Sequence, residues 1–138
     1  MDPMSILLPF SALALLTLTV LLLVPYRRFK ATAAKEVTVD DFRMGESSNV
    51  PERVSLPNRN VMNLTEIPIL FYALCLALFV SGTVTPFFVN MAWLYVVLRI
   101  GHSIVHVSYN NIMHRLGFFA TSNLVLLIMW IRFVIVLH

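Results

Sequence analysis

Apolar and polar positions are segregated along this chain. Four long apolar stretches alternate with polar connections. The first covers residues 4–26 and contains no charge. The second covers about 60–81 and holds Glu66; the third covers about 87–109 and holds Arg99, His102 and His106. The fourth covers about 118–137, with Arg132 near its end. A spanning helix needs roughly 20 mostly apolar residues to cross about 30 Å of hydrocarbon. The pattern therefore predicts four transmembrane helices joined by one long connection, 27–59, and two short ones. Closely connected apolar helices imply an all-α, antiparallel up-down bundle in one domain, residues 1–138.

Composition removes the competing classes. Of 138 residues, 59% are hydrophobic and only 12% charged, with a mean hydropathy of +0.82. A soluble domain carries about 25% charged residues, so this chain has too little polar surface for an ordinary soluble globule. Its single cysteine, Cys75, excludes an internal disulfide framework. The first stretch lacks a basic n-region and a small-residue cleavage site, so it reads as a retained helix.

Charge placement predicts the orientation. Segment 27–59 holds seven Lys or Arg, and the last connection adds Arg115; the N-terminus, the 82–86 turn and the C-terminus hold none. By the positive-inside rule both termini lie outside and both basic connections lie in the cytoplasm. Segment 27–59 also carries five acids, leaving a surplus of two positive charges. Anionic headgroups account for that surplus, and no nucleic-acid partner is expected. The segment is rich in turn residues (Gly45, Ser47, Ser48, Pro51, Pro57), and a connection of this length could cap a cytoplasmic pocket.

The chemistry lies in polar residues placed where they are expensive. A charge deep in a spanning helix costs roughly 2.5–3.5 kcal/mol on insertion scales. Arg59, Asn63 and Glu66 stand at i, i+4 and i+7, and Arg99, His102, His106 and Asn110 at i, i+3, i+7 and i+11. Each set lies on one helix face. At 1.5 Å per residue, Glu66 lies roughly 9 Å from the cytoplasmic entry and the histidines roughly 5–11 Å from it. Glu66 is therefore expected to face the histidines in a polar pocket that opens inward, with Arg99 a turn deeper. Taken alone, Glu66 and Arg99 read equally well as a structural ion pair, but two registered stripes exceed what a stability device needs. His102 and His106 lack a third ligand, so no metal site is expected. Pro68 is expected to bend the second helix just beyond Glu66, Arg132 to snorkel, and Cys75 to pack.

These residues resemble the MAPEG family, the membrane-associated proteins of eicosanoid and glutathione metabolism. The run Arg59-Asn60-x-x-Asn63-Leu64-x-Glu66-x-Pro68 is similar to the family's R-x-x-x-N-x-x-E element followed by proline. Arg99-x-x-His102 is similar to its R-x-x-H/Y element, and Arg115 stands where the family has an arginine beyond that helix. The resemblance extends over nearly the whole chain. Four residues past the R-x-x-H/Y element, where many catalytic members carry tyrosine, this chain has His106, with Tyr109 nearby. The segment 108–115 resembles an uncharacterised bacterial branch, which implies a bacterial inner membrane.

The resemblance implies a homotrimer with glutathione bound between neighbouring subunits. Arg59, Asn63, Glu66 and Arg99 would hold the tripeptide, with His102, His106 and Tyr109 completing the set. Arginines suit its carboxylates and a glutamate suits its ammonium. Arg115 would take the thiol-activating role, because a nearby cation favours the thiolate. The second substrate would be a lipophilic electrophile or hydroperoxide entering from the lipid. A non-catalytic membrane scaffold that keeps the pocket for a lipid headgroup or partner is the alternative. A proton-coupled carrier is a third reading, weakened by the lack of repeated broken helices.

Overall fold

Prolines set several of the helix boundaries in the computed structural model, which describes residues 2–137. Pro68 opens one helix and Pro86 another, and Pro51 stands at the N-cap of a third. In the first turn the missing proline N–H deprives the helix of no bond. The elements are α1 (Leu7–Ala33), α2 (Glu52–Thr65), α3 (Pro68–Ser81), α4 (Pro86–Val107) and α5 (Ile112–Val136). Short 3-10 turns cover Pro3–Ile6 and Val39–Phe42. No strand occurs among the described residues.

The expected all-α architecture of four membrane-crossing units holds. Four helical stretches are long and apolar enough to cross a membrane: Pro3–Ala33, Glu52–Ser81, Pro86–Val107 and Ile112–Val136. The second is α2 and α3 in series, broken at Glu66 and Ile67. Pro68 cannot donate to the carbonyl four residues back, so α2 stops at Thr65. The bend expected beyond Glu66 is thus a full break. Gly82 ends α3 in the left-handed region (φ +68°), and the N–H of Thr83 bonds the Leu78 carbonyl at 3.2 Å.

The helix limits depart from those read along the sequence. Segment 27–59, expected as one connection, is helical over 27–33 and 52–59, so the link proper covers 34–51. The reason is length. Glu52–Ser81 spans about 45 Å as helix, well beyond a hydrocarbon core of about 30 Å. The excess packs against the end of α1, where Ala31, Val37 and Val54 form a small separate core with Phe42 and Val50. Arg27 ties this region together, donating to the carbonyls of Arg53 (2.7 Å) and Val107 (2.8 Å). Arg28 pairs with Glu46 at 3.0 Å, and Arg53 pairs with Glu36. Helix α4 ends at Val107 and α5 begins at Ile112, six residues before the fourth apolar stretch. The side chain of Asn111, accepting from the His114 N–H at 3.1 Å, starts α5 early.

The main core is divided along its length. At one end Ile6, Leu13, Leu74, Leu78, Phe88, Ala92, Met129 and Phe133 pack as hydrocarbon. Near its middle Phe71 and Tyr95 stack with ring centres 4.6 Å apart. Beyond Tyr95, the buried face of α4 turns polar: Arg99, His102, Ser103 and His106. The outer leucines of α1 (Leu8, Leu15, Leu18, Leu21, Leu22) are exposed, as expected of a lipid-facing surface. Thr17 and Thr19 return their hydroxyls to the Leu13 and Leu15 carbonyls, so these two donors are paired within the helix.

Candidate functional site

The polar face of α4 is built on a repeat of three and four residues. Arg99, His102 and His106 share one side of the helix with Tyr95, and all four are buried. Arg99 has no exposed surface. Its Nε donates to the Tyr95 hydroxyl at 3.1 Å and its Nη2 to Asn123 Oδ1 of α5 at 3.0 Å. Its guanidinium also lies over the rings of Tyr95 and Phe119, at 5.3 and 5.4 Å. The third nitrogen, Nη1, is buried without a partner.

One turn on, His102 Nδ1 meets the carbonyl of Arg115 at 3.2 Å. A carbonyl only accepts, so Nδ1 carries the proton and, in the neutral ring, Nε2 presents a lone pair. That Nε2 is buried and unpaired, as is Nδ1 of His106. The two imidazoles meet edge to face with centres 5.5 Å apart. Beside them Ser103 donates to Asn60 of α2 at 3.4 Å, and the amide nitrogen of Asn60 is a further unpaired buried donor. Buried polar groups without partners are uncommon. Here four of them belong to one polar end of a single bundle.

The expected residues separate into two groups. Asn63, His102 and Arg115 line one cavity of about 230 Å³ with Ile112, Leu116 and Phe119. Arg99 stands behind it, its guanidinium over Phe119. In contrast, Arg59 and Glu66 are exposed on the surface of the chain. Glu66 makes no ion pair among the described residues, so the expected contact of Glu66 with the histidines is not formed within one chain. The helix break turns the backbone at Glu66 (ψ −79°), whereas a shared face for Arg59, Asn63 and Glu66 requires one continuous helix. Asn110 also leaves the stripe, because α4 ends at Val107, before it. Tyr109 is 61% exposed, and its hydroxyl meets His114 Nδ1 at 2.9 Å. Asn110 has φ +48° and bridges Glu52 to Arg115.

Three contributors were not singled out in the sequence. Asn123, Asn60 and Ser103 each answer a buried polar group of the site. Asn123 had a signal, as an amide inside the fourth apolar stretch, and such residues usually bond across helices. Asn60 and Ser103 adjoin singled-out residues, and only the helix rotation shows them to be buried.

A larger cavity, about 430 Å³, lies where the ends of α1 and α4 meet α2, bordered by Tyr26, Lys30, Glu36 and Arg53. None of the expected site residues lines it.

Comparison with protein families matches residues 6–135 to the MAPEG family. Neither the curated proteins nor the solved structures returned a match.

Proposed function

The chain belongs to the MAPEG family, and from that premise we propose that it is a glutathione-dependent membrane transferase or peroxidase acting on lipophilic electrophiles. The observation that carries this reading is the convergence of Asn63, His102 and Arg115 on one cavity beside the buried guanidinium of Arg99. Glutathione, when bound, supplies the thiol. Arg115 stands at the cavity to hold the thiolate form, since a cation lowers a thiol pKa from about 8.5. His102 Nε2 offers an acceptor and Asn63 an amide to the peptide backbone.

One chain offers only part of such a site. A cavity of about 230 Å³ is below the usual range of about 300–1,000 Å³ for a small-molecule pocket. Arg59 and Glu66, exposed along the second spanning unit, would be costly against lipid. A homotrimer that covers this face supplies both answers. Arg59 and Glu66 then meet the carboxylates and the ammonium of glutathione at the joint between subunits. Tyr109 and His106 stand at its margin.

Titration calorimetry of glutathione into the detergent-purified oligomer tests the reading, followed by turnover with a panel of lipophilic electrophiles. The wild type binds saturably, Glu66→Ala loses binding, and Arg115→Ala binds but conjugates about 100-fold more slowly. A folded oligomer without glutathione binding overturns the proposal. A phospholipid co-purifying in native mass spectrometry would then support the scaffold alternative.

A further inference from the structure

Arg115 is held by a relay that begins on another helix. Its Nη1 donates to Asn110 Oδ1 at 2.8 Å, and Asn110 Nδ2 donates to Glu52 Oε1 at 2.8 Å. Glu52 is the first residue of α2 and is exposed; Asn110 and Arg115 are half-buried. The backbone of Arg115 is fixed separately. Its N–H bonds the Asn111 carbonyl at 3.0 Å, and its carbonyl accepts from His102. The relay therefore adds one thing: the direction of the guanidinium.

Resting on the activity proposed above, we propose that Asn110 is the positioning residue for Arg115, orienting its guanidinium at the cavity while leaving its charge uncancelled. The residue meets three demands at once. Its backbone is left-handed, φ +48°, with the N–H returned to the Val105 carbonyl at 2.8 Å; asparagine tolerates this region better than most residues. Its side chain must accept from an arginine and donate to a carboxylate, which an amide does and an ionised aspartate does not. It must also be neutral. A carboxylate at position 110 would pair with Arg115 directly and quench the positive field that a thiolate needs. With asparagine there, the negative charge of Glu52 is held one amide further away. Glycine meets the first and third demands but has no side chain to form the relay.

That difference makes Asn110→Gly the informative variant, since it keeps the backbone and removes the relay. Two readouts apply. Phenylglyoxal labelling of Arg115, followed by mass spectrometry, needs no ligand; labelling is expected to quicken several-fold in Asn110→Gly. In turnover, kcat is expected to fall about 10–100-fold with little change in the KM for glutathione. The pKa of the bound thiol, followed by thiolate absorbance, is expected to rise by about one unit. Asn110→Asp keeps the size but reverses the electrostatics, and should raise the thiol pKa at least as far. Glu52→Ala frees the far side of the Asn110 amide and carries the labelling readout, with a smaller quickening expected, if Asn110→Gly does not fold; removing its negative charge acts on the thiol pKa in the opposite direction. Unchanged labelling of Arg115 overturns the proposal, as does unchanged kcat and thiol pKa in an active enzyme. A wild type that forms no glutathione thiolate defeats the proposed activity instead, while the labelling rates still decide whether Asn110 holds Arg115.

Discussion

Arg99 of α4 and Asn123 of α5 are joined at 3.0 Å through an arginine that has no exposed surface. Tyr95 takes a second N–H, and the aromatic faces of Tyr95 and Phe119 receive the charge. A buried cation without its acceptor bears the full desolvation cost of the lost bond. Asn123→Ala should therefore destabilise the subunit by about 1.5–3 kcal/mol. Thermal unfolding in detergent micelles checks this. An unchanged midpoint would show that Tyr95 and the rings suffice.

Helices α4 and α5 approach closely at Gly101. A Cβ there would fall 2.6 Å from Phe118 Cε1. The ring is half-buried and stands beside a groove lined by Leu98, His114, Gly117 and Thr121, so it has somewhere to turn. Gly101→Ala should cost about 1–3 kcal/mol, the usual range for an overpacked contact. Phe118→Leu in the same chain should recover most of that loss. The coupling in a double-mutant cycle measures it.

The break before Pro68 sets the direction of Glu66. Pro68→Ala restores a donor and allows α2 and α3 to merge, which rotates Glu66 relative to Asn63. Global stability should change little, whereas the glutathione affinity proposed above should fall at least several-fold. Calorimetry beside unfolding separates the two effects. Affinity equal to wild type would mean that the break is dispensable for binding.

Outside the spanning helices, Asp41 organises the link between α1 and α2. Its carboxylate accepts from the Thr38 N–H (2.8 Å), the Thr38 hydroxyl (2.9 Å), the Ser47 hydroxyl (2.6 Å) and the Asn49 amide (3.4 Å). These bonds, that from Ser47 foremost, lower its pKa from 3.8 to about 2. A depressed carboxylate pKa contributes order that is complete above the unfolded value and lost as pH falls through the folded one. The link should stay ordered at pH 4 and loosen toward pH 2. At neutral pH, Asp41→Asn should speed proteolytic cutting within 43–50 relative to wild type. Equal cutting rates would show that the carboxylate does not hold the link.

Much of the fold was legible along the chain. Residues 4–26 carry no charge over more than the thickness of the hydrocarbon core, and that property alone predicts a crossing helix. A bend at Pro68 was legible because a missing N–H is a local fact, but its extent, a full break between Thr65 and Pro68, was not. The histidine-arginine stripe of α4 was legible for the same reason: its members share one uninterrupted helix, where spacing decides the face. Glu66 was not, because the 3.6-residue period fails across the break that its own neighbour makes. Asn110 was misplaced for a related reason, since α4 ends at Val107 and a left-handed residue has no helical face.

The amino-acid sequence by itself determined the number of crossings, the expensive polar residues and the two motif runs, all of which depend on neighbours within a few turns. Only the tertiary structure decided which of those residues meet. Asn63, His102 and Arg115 come together while Arg59 and Glu66 stay on the surface. Arg99 finds Asn123, and Arg115 reaches Glu52 through Asn110. Such pairings depend on how each helix is rotated and where it ends, and packing between distant segments sets both.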